Sequence, residues 1–177
     1  GSSFNANANG GQSYISDDFD ANLEEAKQLL ADAGYPNGEG LPTITYTTND
    51  AGYHKTVAEY LQQAWGELGL NVEVNIVEWS SFTPMRRNGE YMVARNGWVG
   101  DYSDPSNMLD LFCTGNGNND GKFSNADFDA AMEKAASTMD TAERSAALHQ
   151  AEDVLMEQVG CIPVASYNDF WLQSEKI

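Results

Sequence analysis

Basic side chains are scarce in this 177-residue chain, which has 9 Lys and Arg against 27 Asp and Glu and a formal net charge of −18. Proteins that bind nucleic acid or an anionic membrane surface need a positively charged footprint. The composition therefore argues against both kinds of partner. We attribute the excess of acidic side chains to solubility.

Long apolar runs are absent as well, since no stretch approaches the roughly 20 residues that a membrane-spanning helix requires. The N-terminus has no charged region followed by an apolar core, so we expect neither a transmembrane helix nor a signal peptide, and Gly1-Ser2 resembles an expression scar. A chain of this length is expected to fold as one domain over residues 1–177, burying roughly 70% of its unfolded surface without a metal or disulfide.

Cysteine and histidine occur only twice each. Cys113 and Cys161 lack the spacing of a zinc site, so they form either one disulfide or two buried thiols. His54 and His149 fall on separate predicted helices with no matching cluster of Cys or Asp. Because nucleophile-elbow, dinucleotide and phosphate-loop motifs are missing too, the sequence predicts no catalytic residue, metal or cofactor.

Helical and strand patterns alternate along the chain. After an extended lead-in over residues 1–20, the patterns predict helices over 20–33, 54–68, 104–112, about 124–135 and 141–159, a short helix or turn over 79–88, and strands over 43–47, 72–76, 91–97 and 162–167. Strand–helix–strand order with connections of this length indicates an α/β fold with a largely parallel sheet flanked by helices. Ligands of such sheets gather at the carboxyl ends of the strands.

The stretch from Arg95 to Pro105 follows the third predicted strand and combines two glycines, one tryptophan and two aspartates. It offers backbone groups, a large apolar face and fixed negative charge together, which suits a ligand site better than a core. Asp101 and Asp104 could be a general acid and base, but an Asp-x-x-Asp turn is far more often turn and capping chemistry. Asp104 before Pro105 predicts a helix cap.

The loop over 116–127 offers a calcium alternative. Asn116, Asn118, Asp120 and Asp127 stand at the first, third, fifth and twelfth positions of an EF-hand-like spacing, with Gly121 at the sixth. An Asn replaces the usual first Asp, and Asp is too short for the final bidentate Glu. We therefore favour an ordinary surface loop over a calcium-stabilised interaction module.

Residues 92–98, followed by Asp101-Tyr102-x-Asp104-Pro105 and Leu109, resemble the second-lobe segment of bacterial extracellular solute-binding proteins of the oligopeptide and dipeptide type. Residues 23–35, 71–79, 123–129 and 162–163 are similar to other landmarks of that family. Members are two-lobed, much longer and deliver solutes to ABC importers. The resemblance implies a second (C-terminal) lobe of a periplasmic-binding-protein type II fold, monomeric and extracytoplasmic, either periplasmic or at the cell surface, including as a membrane-anchored lipoprotein. Its partners would be a peptide, the first lobe and an ABC permease.

The resemblance also implies roles for individual residues. Gly97 and Val99 would pair with the ligand backbone by β-augmentation, a mode indifferent to side-chain identity. Trp98 would line a side-chain pocket, with core packing as the alternative.

Charged ends of the ligand would be met by three further residues. Asp101 would hold the α-ammonium, Arg95 would lie near the ligand carboxylate, and His54 would serve the same end. A surface salt bridge for Arg95 and a polar helix-start role for His54 remain open.

Three further expectations follow from the family. An export compartment permits a disulfide between Cys113 and Cys161. One lobe alone is expected to fold but to bind ligand poorly. Non-peptide ligands, such as an oligosaccharide or a nickel complex, remain the alternative within the family.

Overall fold

The computed structural model describes residues 17–165 and 172–174. Its helices and strands, in chain order, are α1 (Phe19–Asp32), β1 (Ile44–Asn49), α2 (Gly52–Gly66), β2 (Val72–Val77), α3 (Trp79–Asn88), β3 (Val93–Ala94), α4 (Ser106–Leu109), α5 (Ala126–Ser137) and α6 (Thr141–Glu157), with 3₁₀ turns at Pro36–Gly38 and Asp110–Phe112. The predicted α/β order is confirmed. Among the residues that the structure describes, no helix combines the length and the hydropathy of a membrane span.

A three-stranded parallel sheet of order β2-β1-β3 forms the first layer. Ile44 pairs with Val72, and Tyr46 pairs with Val93. Because the strands are parallel, their carboxyl ends lie at one edge of the sheet, where the 95–105 segment begins.

Strand β3 is much shorter than the predicted 91–97. The Arg95 amide still donates to the Thr47 carbonyl at 2.9 Å, but the Gly97 amide donates to the side-chain oxygen of Asn96 at 2.8 Å. The backbone has therefore left the sheet by Gly97.

Helix α2 covers the sheet through a small apolar cluster. Tyr46, Ala58 and Val72 are buried, and Trp65 meets the Tyr46 ring edge-on with centroids 6.2 Å apart. Tyr60 of the same helix is 64% exposed and lies outside this cluster.

The turn that follows α2 depends on Gly69. Its φ of +83° is a left-handed conformation that costs glycine little, and a Cβ there would collide with the Asn37 carbonyl of the 36–38 turn. Any larger residue would have to displace that turn.

A second layer is formed by α5 and α6, with Leu109 of α4 packed against them. The apolar residues that recur at helical spacing along these helices are buried, namely Phe128, Ala131, Met132, Ala135, Leu148, Ala151 and Leu155. Asn125 caps α5 by accepting from the amides of Asp127 and Phe128, so the helix begins at Ala126 and not at about residue 124.

Several predicted boundaries were wrong. Helix α1 begins at Phe19 and not at residue 20, and it is capped by Asp18, whose carboxylate accepts from the Ala21 amide. Helix α6 ends at Glu157 and not at residue 159, because the chain turns just beyond it, where Val159 has a φ of +50° and is 67% exposed. Residues 162–165 form no strand, and 166–167, like lead-in residues 1–16, lie outside the described residues.

Candidate functional site

The candidate site lies at the carboxyl edge of the sheet, where residues 95–105 leave β3. Gly97, Val99 and Asp101 are exposed, with Val99 at 75%, while Arg95 and Trp98 are half-buried. Within the described residues β3 is an outer strand of the sheet. Its continuation therefore presents backbone groups and side chains to solvent along one short path.

The turn is held in shape by Asn107, a residue that sequence reasoning missed. Its side-chain oxygen accepts from the Trp98 indole Nε1 at 2.8 Å and from the Asp101 amide at 3.3 Å. Asn107 is only 6% exposed, and a buried amide of this kind is normally hydrogen-bonded. The one sequence signal was a polar residue within the predicted helix after Pro105.

Asp101 and Asp104 have different environments. The Asp101 carboxylate accepts no hydrogen bond from the residues that the structure describes, so its charge faces solvent. Asp104 accepts two bonds from Arg144 and one from the Ser106 amide. The hydrogen bonds from Arg144 are the main reason that the pKa of Asp104 is lowered to about 2. Asp104 therefore stays ionised as a structural group, and the acid–base pair is not supported.

The side chain of Arg86 links the end of β3 to Asp120. Its Nε donates to Asp120 Oδ2 at 2.7 Å, and its Nη1 approaches the Arg95 carbonyl at 3.5 Å. The side chains of Arg86 and Asp120 are only 12% and 7% exposed. This ion pair therefore joins α3, the 116–125 loop and the first residue of the candidate site. Sequence reasoning missed it.

His54 lies in the first turn of α2 and is 6% exposed, with its ring against Tyr53 at a centroid distance of 4.1 Å. Burial is the main cause of its lowered pKa, and the positive charge of Arg95 lowers it further. The structure thus brings His54 and Arg95 within electrostatic reach of each other.

Unsatisfied polar atoms collect near this edge of the sheet. Within the described chain, neither ring nitrogen of His54 has a hydrogen-bond partner, and the same holds for Thr48 Oγ1 and Asn49 Oδ1 at the end of β1. Buried polar atoms without partners are uncommon and costly. A polar partner from elsewhere, such as a ligand or another part of a longer protein, would relieve that cost.

The contacts within the 116–127 loop argue against the calcium alternative. Asp120 is committed to Arg86, and the Asn116 side-chain oxygen accepts from the Asn118 amide at 2.8 Å. Asn119 is buried and donates to the Phe123 carbonyl at 2.7 Å. These contacts fold the loop on itself, and no group of three or more His, Cys, Asp or Glu side chains that could hold a metal ion occurs in residues 17–165 and 172–174.

The expected disulfide is not formed in the structure, where Cys113 and Cys161 are free cysteines. Both pack against the α5–α6 core as small apolar side chains. Burial raises the pKa of both thiols. In this structure they are two half-buried free thiols.

The chain is similar to known proteins in both sequence and fold. Residues 1–120 match the family model described as bacterial extracellular solute-binding proteins, family 5 Middle. The oligopeptide-binding protein OppA of Bacillus subtilis is 31% identical over 171 residues, which cover 94% of this chain and 31% of that protein. The heme-binding protein A of Haemophilus influenzae is 33% identical over 156 residues, 84% of this chain and 28% of that one.

A crystal structure of Haemophilus influenzae OppA in complex with the peptide RPPGFSPFR superimposes with a TM-score of 0.76 and 31% identity, covering 84% of this chain and 30% of that chain. The helix-flanked parallel sheet is therefore a periplasmic-binding-protein fold. The chain spans about a third of the length of the curated relatives that it matches.

Proposed function

Since the chain belongs to family 5 of the bacterial extracellular solute-binding proteins, we propose that it is the second lobe of the substrate-binding component of an ABC peptide importer. It binds without catalysing a reaction. Several relatives carry the names of oligopeptide-binding proteins, and a structural neighbour was solved with a bound nonapeptide.

The observation that carries this proposal is an exposed stretch of backbone that ends at a carboxylate with no hydrogen-bond donor among the described residues. Gly97 and Val99 lie exposed beyond an outer strand, where an extended peptide can add main-chain hydrogen bonds. Asp101 ends that path with a carboxylate that accepts no hydrogen bond from the described residues. A peptide α-ammonium is the complementary group, and such a bond is charge-assisted.

The other end of the ligand would lie near Arg95 and His54. The two share a polar edge with Thr48 and Asn49, whose side-chain oxygens lack partners within the described chain. A ligand carboxylate would supply acceptors to the histidine ring and negative charge to the guanidinium. Trp98 would line a side-chain pocket with its ring face, because its indole N–H is already donated to Asn107.

The remaining parts of the proposal concern partners and place. The lobe would close on its ligand together with the first lobe and deliver it to an ABC permease, as a monomer. Family members are periplasmic or extracellular solute-binding proteins. For the protein containing this chain we propose the periplasm or the cell surface, with a lipoprotein anchor as one form of the latter.

The chain on its own should bind peptide weakly. A single lobe offers about half the contacts of an engulfed ligand, while association still costs several kcal/mol of lost freedom. We expect dissociation constants in the millimolar range or weaker by calorimetry. Submicromolar binding by the chain alone would show that a second lobe is not needed.

The decisive experiment compares two peptide classes in the two-lobed parent protein carrying Asp101→Asn. A charge-assisted bond contributes about 1.5–3 kcal/mol, so peptides with a free amino terminus should bind at least about tenfold more weakly. N-acetylated peptides already lack the ammonium and should lose little. Asp127→Asn, which removes another exposed carboxylate, is the matched control and should leave both affinities unchanged.

The opposite outcome is equally clear. If Asp101 only stabilises the turn, its substitution lowers the melting temperature and weakens both peptide classes alike. Equal losses would therefore remove the ammonium site and with it the main support for a peptide ligand.

A non-peptide ligand is the second candidate, favoured by the heme-binding name of one relative. An oligosaccharide or a nickel complex belongs to the same alternative. Native mass spectrometry of ligands that co-purify with the two-lobed parent distinguishes them, because a mixture of peptides supports the first proposal and a single non-peptide mass supports the second.

A further inference from the structure

Asn-Gly pairs occur five times in this chain, four of them within the described residues. The four are Asn37-Gly38, Asn88-Gly89, Asn96-Gly97 and Asn116-Gly117, while Asn9-Gly10 lies outside the described residues. Such pairs are chemically reactive because glycine has no side chain to crowd its own backbone nitrogen.

The reaction is an intramolecular displacement. The glycine backbone nitrogen, after losing its proton to solvent, attacks the asparagine Cγ, a C–N bond forms, and the side-chain amide leaves as ammonia. Water then opens the resulting succinimide ring at either carbonyl. The products are aspartate or isoaspartate, and an uncharged side chain has become a carboxylate.

Among the four described pairs, only Asn96-Gly97 combines two features. The glycine nitrogen contacts the asparagine side chain, and the pair lies in an exposed segment outside the helices and strands. The Gly97 amide nitrogen lies 2.8 Å from Asn96 Oδ1. A carbonyl bond is about 1.23 Å long, so this nitrogen lies within about 4 Å of the Asn96 Cγ, close to the roughly 3–3.5 Å of a near-attack arrangement. Both residues are exposed and belong to no helix or strand.

The other three pairs are held differently. The Gly38 amide donates to the Tyr35 carbonyl at 2.9 Å, and the Gly89 amide donates to the Arg86 carbonyl at 3.0 Å. In both cases the nucleophilic nitrogen is directed at a backbone oxygen instead of the preceding side chain.

The fourth pair is restrained through the asparagine. The Asn116 side-chain oxygen accepts from the amide of Asn118, two residues ahead, at 2.8 Å. The Asn116 side chain is therefore engaged by the amide of Asn118 and not by the Gly117 nitrogen that would attack it.

We propose that Asn96 is a deamidation site of this protein and that it reacts faster in the folded chain than the other three described pairs. The new carboxylate stands next to Arg95, and isoaspartate adds one methylene to the backbone between β3 and Gly97. A strand extension that pairs with a ligand backbone would lose its register there. This consequence rests on the proposed function, but the deamidation itself does not.

The experiment is peptide mapping by mass spectrometry after incubation of the purified folded chain at mildly alkaline pH. Conversion of amide to acid is followed at residues 37, 88, 96 and 116, in the native chain and in the chain unfolded by urea. Since small misplacements of reacting groups cost up to about a hundredfold in rate, Asn96 should lead the other three by at least about tenfold when folded. In urea the four rates should approach one another.

Two outcomes would overturn the proposal, namely equal rates for the four pairs in the folded chain, or an Asn96 rate that rises on unfolding. Asn96→Gln is the matched variant and should abolish the fast conversion without changing the rate at Asn88. Because the assay contains no ligand, its failure would leave the proposed peptide site untouched, and failure of the peptide site would leave this result standing.

Discussion

Arg144 donates two hydrogen bonds to the Asp104 carboxylate, from Nη1 to Oδ2 at 2.9 Å and from Nη2 to Oδ1 at 2.7 Å. The same carboxylate accepts from the Ser106 amide at the start of α4. The pair therefore fastens the candidate site to helix α6, 40 residues further along the chain.

Arg144→Lys should weaken this attachment although it keeps the charge, because lysine cannot make the two-pronged contact. Both side chains are about a third exposed, so solvent screening limits the expected loss to about 1 kcal/mol. Urea unfolding of the variant and of the parent chain measures it. Glu24→Gln, which removes an exposed ion pair with Lys27, is the control and should change stability by less than about 0.5 kcal/mol. A larger loss in the control than in Arg144→Lys would contradict the prediction.

Acid should remove the contribution of Asp104 within a defined pH range. Its folded pKa of about 2 lies below the ordinary 3.8, so the folded state favours the charged form. The stability from this group is therefore fully present above the ordinary pKa and is lost as the pH falls from about 4 towards 2. The difference in unfolding free energy between the parent chain and Asp104→Asn should shrink over that range. A constant difference down to pH 2 would show that the carboxylate charge contributes nothing.

The two cysteines should react slowly in the folded chain and quickly after unfolding. Burial raises the pKa of the thiols of Cys113 and Cys161, which lowers the thiolate fraction at neutral pH, and the thiolate is the reactive species. Ellman titration without reductant should count two thiols per chain in urea. A count of none in urea would instead establish the disulfide that the export compartment favoured.

Local patterns predicted the elements but not the contacts that shape the site. Periodicity located the buried residues of α5 and α6, because core positions recur at helical spacing. The predicted third strand also placed the 95–105 segment at the end of β3. Periodicity could not pair Arg86 with Asp120, 34 residues away, since no local pattern specifies which distant charges meet.

The same limit explains the error in β3. The sequence predicts a long strand over 91–97, but only Tyr46 and Thr47 of β1 have ladder partners there. Strand length depends on the partner as well as on the sequence of the strand itself. Asn107 was missed for a related reason, because its value lies in two hydrogen bonds to a turn six to nine residues before it.

The buried pair of Arg86 and Asp120 provides the strongest test of how the site is supported. Removing one partner leaves an uncompensated charge in an environment where the side chains are 12% and 7% exposed. Asp120→Asn and Arg86→Met should therefore each destabilise the chain by about 3–5 kcal/mol.

The double variant Arg86→Met with Asp120→Leu should lose much less than the sum of the single losses, because no buried charge is left unpaired and apolar replacements of such pairs are often neutral. Urea unfolding of the chain and its variants gives this cycle. Additive losses would mean that the two side chains act independently. If the cycle shows coupling, the double variant can be made in the two-lobed protein that contains this chain. Its peptide affinity then shows whether Arg86 positions the end of β3 as well as stabilising the fold. The double variant keeps the fold but lacks the contact of Arg86 with the Arg95 carbonyl, so weaker peptide binding at unchanged stability would identify Arg86 as a residue that positions the end of β3.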